Sequence, residues 1–174
     1  MKTPLVMDLL RHGETTKGRC FLGRTDAALT KTGWSQMEQA LHSVIPSDYD
    51  LIIASPLLRC KSFAQHWLTV YGYDLNELRL DSAIREYDFG DWDGLTAAEI
   101  MQEWPVELGE FWRDPECCPP PQGELIPAFF ERLECFIKAQ QQGENERVLL
   151  ITHGGVINAL TCLPQERPAS DMAN

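Results

Sequence analysis

Short apolar runs recur along the chain and predict the strands of a buried sheet. Apolar runs of about four to eight residues, bounded by turn-forming residues, are typical of strands covered on both faces. Residues 4–10 (PLVMDLL), 50–55 (DLIIAS) and 147–152 (RVLLIT) have this pattern, and a weaker run covers 78–84. The sequence therefore predicts four strands, and Asp8 is the discordant residue of the first.

Between these runs, apolar residues recur at the spacing of amphipathic helices. The first helix is predicted to follow Thr30 as its cap, with Trp34, Met37, Leu41, Val44 and Ile45 on one apolar face. The second is predicted to begin with Ser55 as the cap and Pro56 at the first helical position, because both residues favour those places.

Three further helices are predicted in the second half of the chain. Thr96 and Glu99 form a capping box that opens a short helix. A clean helical period covers residues 126–142, and a last helix is predicted over 155–163, closed by Pro164.

Two segments show neither the apolar runs of strands nor the apolar spacing of helices, and they are predicted to be irregular. Residues 11–28 contain three glycines, and residues 104–125 hold five of the eleven prolines. The second of these segments is predicted to border the ligand crevice. Strands that alternate with helices indicate a single α/β domain, covering residues 1–174, around a mainly parallel sheet.

Composition limits the classes of partner. The chain has 174 residues, 44% of them hydrophobic, and a formal net charge of −11. This charge argues against nucleic acid and anionic membranes as partners, and an anionic ligand would need a local positive pocket. The six cysteines form no CxxC motif, so we expect no metal site and a reducing, cytoplasmic location without a membrane-spanning segment.

Two histidines occur in the same context, at the end of a predicted strand and before glycine. His12 follows LVMDLLR, and His153 follows VLLIT; the glycine after each is expected to let the backbone turn. Because ligands bind at the carboxyl ends of parallel strands, two strands would deliver one imidazole each to the same crevice. Taken singly, each would more often be a hydrogen-bonded structural histidine.

Arginines add positive charge to this predicted crevice. Arg11 adjoins His12, and Arg59 lies in the first turn of the second helix, whose N-terminus also favours anions. Two arginines and two histidines converging on one anion indicate phosphate. The sequence contains no HExxH, DxDxD or GxxxxGK[ST] motif, so a transferred phosphoryl group would need a side-chain nucleophile and a nearby acid. Glu86 is the candidate acid; its alternative role is a solvated or Arg85-paired carboxylate.

These residues lie in motifs that resemble the histidine phosphatase superfamily, which includes phosphoglycerate mutases and many phosphatases. The matching segments are LRHGET (10–15), GRTDAALTKTGWSQM (23–37), ASPLLRC (54–60), IREYDFGDWDG (84–94) and ITHGG (151–155). Five motifs in order are far more specific than one. The resemblance implies a three-layer α/β/α fold of the phosphoglycerate mutase type, and no cofactor.

The resemblance also implies a role for each of five residues. His12 would be the phosphorylated nucleophile, and Glu86 the proton donor that later activates water. Arg11, Arg59 and His153 would hold the phosphoryl oxygens. This chemistry requires His12 to be neutral and Glu86 to have a raised pKa.

The sequence departs from the family pattern in two places. Gly18 stands where many members have asparagine, so an auxiliary substrate contact would be missing. The polar, proline-containing tail after the last predicted helix contains no final apolar strand. Loss of that strand would expose a sheet edge, from which we expect lower stability or a homodimer.

The resemblance predicts a metal-independent phosphomonoester hydrolase that acts on a small phosphate ester. The compact chain most resembles the alpha-ribazole phosphatases of cobalamin biosynthesis, with Thr25 and Trp112 as weaker candidates for substrate contact. Trp104, Phe111 and Trp112 could stack on a flat base, or simply pack in the core. A broad sugar-phosphate phosphatase, a phosphoglycerate mutase-like enzyme and an inactive phosphate-binding module remain alternatives.

Overall fold

A four-stranded parallel sheet forms the centre of the computed structural model, which describes residues 4–162. The strands lie in the order β1-β4-β2-β3, and all three neighbouring pairs are parallel. Their bounds are β1 Val6–Arg11, β2 Leu51–Ala54, β3 Leu78–Leu80 and β4 Arg147–Thr152. The prediction of four strands in a parallel sheet is confirmed, with β3 shorter than the predicted 78–84.

Within residues 4–162, six helices surround this sheet. They are α1 Lys31–Ala40, α2 Leu58–Val70, α3 Ala97–Glu103, α4 Pro105–Arg113, α5 Ile126–Gln142 and α6 Gly154–Cys162. Single 3₁₀ turns occur at Pro46–Asp48, Leu75–Glu77, Ser82–Ile84 and Gly90–Trp92. The longest helix of the described chain, α5, has the predicted bounds. No helix among residues 4–162 is long and apolar enough to cross a membrane.

Alternate residues of the central strand β4 enter two separate cores. Leu149 and Ile151 pack with α1 and α2 on one face, whereas Val148 and Leu150 pack with the later helices on the other. This alternation follows from the period of two along a strand. Burial on both faces explains why β4 is a continuous apolar run in the sequence, and it gives the predicted three-layer α/β/α fold.

The start of α2 differs from the prediction. Ser55 is not the cap, because the helix begins three residues later; its hydroxyl lies 2.7 Å from Nε2 of His153 and accepts a long bond, 3.4 Å, from the N–H of Leu57. The helix begins at Leu58, whose backbone N–H donates to the carboxylate of Asp26 over 2.6 Å. The first helix also ends earlier than predicted, at Ala40, so Val44 and Ile45 lie beyond it.

The segment 104–125 is less irregular than its prolines suggested. It contains α4, with Pro105 at the first helical position, where its missing N–H costs nothing. Leu108 and Phe111 are the buried residues of that helix. The prediction of a wholly irregular segment was therefore wrong, because one proline opens a helix here and does not interrupt one.

Within residues 4–162, β1 and β3 form the two edges of the sheet. The predicted helix end at Pro164 and the predicted absence of a final strand fall on residues 163–174, outside the described residues. The homodimer therefore stays a prediction. The six cysteines are all free.

Candidate active site

The two histidines meet where β1 and β4 end. These strands are paired in parallel up to Arg11 and Thr152, so the residues that follow lie side by side. The backbone N–H of His12 donates to the carbonyl oxygen of Thr152 over 2.9 Å. The rings of His12 and His153 are 5.2 Å apart between centroids, in an edge-to-face arrangement. The predicted convergence of the two imidazoles is confirmed.

Hydrogen bonding fixes the tautomer of the neutral His12 ring. Nδ1 lies 2.8 Å from the carbonyl oxygen of Gly13, an acceptor, so Nδ1 carries the proton. Nε2 then keeps its lone pair. Burial lowers the pKa of His12 to about 4, helped by the positive charges of Arg59 and Arg11 and opposed by the Gly13 carbonyl. His12 is therefore neutral near pH 7, as a nucleophile requires.

The glycines beside the histidines provide space, and none of them has a positive φ. A Cβ atom on Gly13 would lie 2.1 Å from the carbonyl oxygen of Gly33. One on Gly154 would lie 3.2 Å from the guanidinium carbon of Arg11, and one on Gly155 would lie 2.5 Å from Oε1 of Glu86. The chain turns after each histidine without a left-handed residue, and glycine is required here because other groups approach the backbone closely.

Glu86 lies at the same cleft as His12. Its carboxylate oxygens accept hydrogen bonds from the backbone N–H groups of Tyr87, over 3.0 Å, and Gly155, over 3.1 Å. Burial raises the pKa of Glu86, and the two N–H groups together with Arg59 and Arg11 oppose that rise. Glu86 therefore keeps its proton to a higher pH than an exposed glutamic acid does.

The cleft has a volume of about 1090 Å³, and two arginines supply its positive charge. Arg11 and Arg19 line it together with His12, Thr15 and Glu86. The Thr15 hydroxyl is buried and has no hydrogen-bond partner among the described residues. Sequence reasoning missed Arg19 and Thr15, because a loop has no period that tells which of its side chains point inward.

Arg59 lies behind the cleft and does not line it. It is fully buried, and its guanidinium donates to the carbonyl oxygens of Leu22 (2.8 Å), Gly23 (3.1 Å) and Thr25 (2.9 Å). Its Nε donates to Nδ1 of His153 over 3.2 Å. The N-terminus of α2, which was predicted to favour an anionic ligand, already holds the Asp26 carboxylate, which accepts from the N–H of Leu58.

His153 is likewise fully buried, and both of its ring nitrogens have partners. Because Nδ1 accepts from Arg59, the proton is on Nε2, which donates to Oγ of Ser55. Burial and the nearby cations lower the pKa of His153 well below its ordinary value. The structure therefore places a neutral His153 against His12 and away from the cleft wall.

Thr25 does not line the cleft either, which contradicts its prediction as a substrate contact. Its hydroxyl and its backbone N–H both donate to Oδ2 of Asp93 over 2.7 Å. The N–H of Gly23 donates to the other carboxylate oxygen over 2.7 Å. Asp93, which sequence reasoning missed, thus holds the loop whose carbonyl groups bind Arg59.

An apolar side pocket of about 250 Å³ opens beside the cleft. Phe21, Phe89 and Gly155 line both spaces. The other residues of the side pocket are Tyr87, Phe111, Trp112, Pro115 and Ile126. Phe111 and Trp112 thus line this side pocket, and Phe111 also belongs to the buried core, against which Trp104 packs.

No group of three or more His, Cys, Asp or Glu side chains within residues 4–162 is arranged to hold a metal ion.

Comparisons with known proteins show what the chain is similar to. The family profile of the histidine phosphatase superfamily (branch 1) matches residues 7–174. The adenosylcobalamin/alpha-ribazole phosphatase of Escherichia coli K12 is 29% identical over 169 residues, which cover 94% of this chain and 81% of that protein. A 2,3-bisphosphoglycerate-dependent phosphoglycerate mutase of Parvibaculum lavamentivorans is 27% identical over 164 residues, covering 90% of this chain and 78% of that protein.

Solved structures show the same fold. The crystal structure of a putative alpha-ribazole-5'-P phosphatase from Escherichia coli K-12 superposes with a TM-score of 0.83 at 27% identity. The superposition covers 98% of this chain and 84% of that one.

Proposed function

This chain belongs to the histidine phosphatase superfamily (branch 1), and on that basis we propose that it hydrolyses phosphomonoesters through a phosphohistidine at His12. One observation carries the proposal. A neutral imidazole with a lone pair on Nε2 and a carboxyl group with a raised pKa line the same cleft, which also holds Arg11 and Arg19. A nucleophile, an acid and cations for the phosphoryl oxygens are the parts that this reaction needs.

In the first step, Nε2 of His12 attacks phosphorus and the ester P–O bond breaks. The leaving oxygen takes the proton of the Glu86 carboxyl group, and the released alcohol departs. The N–H at Nδ1 remains bonded to the Gly13 carbonyl oxygen, which stabilises the ring as positive charge develops on it.

In the second step, the Glu86 carboxylate removes a proton from water, and the water oxygen attacks phosphorus. The P–N bond breaks, inorganic phosphate leaves, and both His12 and Glu86 return to their starting states. Arg11 binds the phosphoryl oxygens directly. Arg59 and His153 act from behind His12: the arginine through its charge, and the histidine by holding the His12 ring.

The proposal is tested by trapping the intermediate. The protein is incubated with p-nitrophenyl phosphate and a metal chelator, quenched, and digested, and the phosphorylated peptide is identified by mass spectrometry. We expect phosphate release that survives the chelator, and an acid-labile phosphate on the peptide that contains His12. Binding of the ester without release would instead indicate an inactive phosphate-binding module, and loss of release with chelator would indicate a metal-dependent hydrolase.

The pH dependence of kcat/KM follows from the lowered pKa of His12 and the raised pKa of Glu86. Activity should rise with pH through about 4, where His12 loses its proton, because only the neutral ring attacks. It should fall again as pH passes the raised pKa of Glu86, because the acid has then lost its proton. The measurement is a pH series with ribose 5-phosphate, whose leaving alkoxide needs a proton, for the parent protein and for Glu86→Gln. The variant should lose the alkaline limb and keep the acid limb; an unchanged profile would contradict the role of Glu86.

For the substrate, we propose alpha-ribazole 5′-phosphate, in a cytoplasmic setting and with no cofactor. Two findings support this choice. The Escherichia coli relative is named adenosylcobalamin/alpha-ribazole phosphatase, and the apolar side pocket adjoins the cleft. A flat base attached to a phosphorylated sugar would place its base among Phe21, Phe89 and Trp112 while the phosphate meets His12. The similarity to a mutase at 27% identity keeps a phosphoglycerate mutase-like activity as the second candidate.

Replacing Trp112 tests the side pocket. Trp112→Ala should lower kcat/KM for alpha-ribazole 5′-phosphate about two- to tenfold, because stacking of an aromatic pair contributes roughly 0.5–1.5 kcal/mol beyond its buried area. The value for ribose 5-phosphate, which has no base, should change little. Val106→Ala, an exposed position on the same helix, serves as the control. An equal effect on both esters would show that the pocket does not bind the base.

A further inference from the structure

Outside the cleft, a partly buried ion pair between Arg132 of α5 and Glu124 hydrogen-bonds to the segment that carries Glu86. Arg132 of α5 donates to both carboxylate oxygens of Glu124, from Nε over 2.7 Å and from Nη2 over 3.0 Å. Both side chains are largely shielded, with 24% of Arg132 and 18% of Glu124 exposed. The Arg132 guanidinium also lies over the Phe129 ring, 4.6 Å from its centroid.

Arg132 holds the backbone of the Glu86 segment directly. Its Nη1 donates to the carbonyl oxygen of Ala83, and its Nη2 donates to the carbonyl oxygen of Glu86 itself over 3.2 Å. Because a guanidinium is planar, its fork fixes both carbonyl groups relative to Glu124. Arg132 thus binds the backbone of this segment at two carbonyl groups, one of them that of Glu86.

Glu124 holds the other end of the same segment. Its carboxylate accepts from the N–H of Asp88 over 3.3 Å, and its own N–H donates to the Asp88 carbonyl oxygen over 2.9 Å. Its carbonyl oxygen accepts from the Tyr87 hydroxyl. The pair therefore contacts the backbone before, at and after Glu86.

We infer that Arg132 and Glu124 are positioning residues for Glu86 and set the efficiency of proton transfer to the leaving group. The Glu86 side chain extends from backbone that this pair fixes, and its carboxylate must lie within hydrogen-bond reach of the departing oxygen. Neither Arg132 nor Glu124 lines the cleft. The inference rests on the proposed function, because it requires Glu86 to be the proton donor.

Leaving groups distinguish this role from a merely structural one. The p-nitrophenolate ion leaves without a proton, whereas the alkoxide of ribose 5-phosphate needs one. Glu86→Gln should therefore lower kcat/KM for ribose 5-phosphate by roughly 10²-fold or more, with a much smaller loss for p-nitrophenyl phosphate. Arg132→Lys keeps the charge but loses the fork. We expect a loss of about tenfold or more for ribose 5-phosphate and less than about threefold for p-nitrophenyl phosphate.

The double variant and a control complete the test. Arg132→Lys combined with Glu86→Gln should be no slower on ribose 5-phosphate than Glu86→Gln alone, because the positioned group is gone. Lys138→Met, which breaks an exposed pair with Glu134 on the same helix, should change neither substrate. Glu124→Gln should show the same selective loss, and it carries the test if circular dichroism shows that Arg132→Lys is unfolded.

Two results would overturn the inference: equal losses on both esters, or no loss on either. If Glu86→Gln itself affects both esters equally, then Glu86 is not the proton donor, and the proposed function fails on its own account. A selective loss for Glu86→Gln without one for Arg132→Lys and Glu124→Gln would reject the positioning role alone.

Discussion

Replacing His12 by alanine should lower phosphate release by roughly 10⁴-fold or more, because removal of a covalent nucleophile leaves only the binding groups of the site. Binding of inorganic phosphate should survive, since Arg11 and Arg19 still line the cleft. The measurements are steady-state phosphate release from p-nitrophenyl phosphate and calorimetric titration with phosphate. The unfolding free energy should change by no more than about 1 kcal/mol, because the half-buried ring is removed next to open space.

His42→Ala is the matched control for this experiment. His42 is exposed just beyond the end of α1, and its Nδ1 lies 2.8 Å from the carbonyl oxygen of Gln39. Its loss should leave phosphate release unchanged. Residual activity of His12→Ala above about one hundredth of the parent value would mean that water attacks phosphorus directly, without a phosphohistidine.

The sequence predicts the site residues well where they follow a strand with a clear apolar pattern. β1 and β4 have clear apolar runs, so the sequence alone assigns His12 and His153 to the same edge of a parallel sheet, and the pairing of the two strands confirms it. This assignment does not require the order of the strands in the sheet. The same reasoning holds for the bounds of α5, whose apolar residues recur without interruption.

The sequence does not predict which side chains of a loop turn inward. Arg19 faces the cleft and Thr25 faces Asp93, although both lie in the same non-periodic segment. Local residue preference also misled the prediction for α2. Ser55 is a good helix cap in isolation, but here α2 begins at Leu58, and the Ser55 hydroxyl bonds with His153, which is 98 residues away. Tertiary contacts of this kind override local preference and leave no periodic signal.

The role of Arg59 also depends on tertiary contacts that the sequence does not predict. Spacing after a strand predicted a guanidinium that lines the crevice, but the structure shows its donors directed to three backbone carbonyl groups and to His153. A buried cation of this kind is costly to desolvate, and its hydrogen bonds offset that cost. Removing it would leave the buried carbonyl groups of Leu22 and Gly23 and the partly buried one of Thr25 without their partner.

Arg59→Met should therefore lower the free energy of unfolding by about 3 kcal/mol, since each unpaired buried carbonyl group costs roughly 1–3 kcal/mol and relief of the buried charge offsets part of the sum. Urea unfolding followed by tryptophan fluorescence measures the change. Arg24→Met is the matched control: Arg24 lies in the same loop region, is 65% exposed, and pairs with Asp88, so we expect a loss below about 1 kcal/mol. If Arg59→Met were as stable as the parent and only weakened phosphate binding, the arginine would be a ligand of the cleft and not a brace behind it.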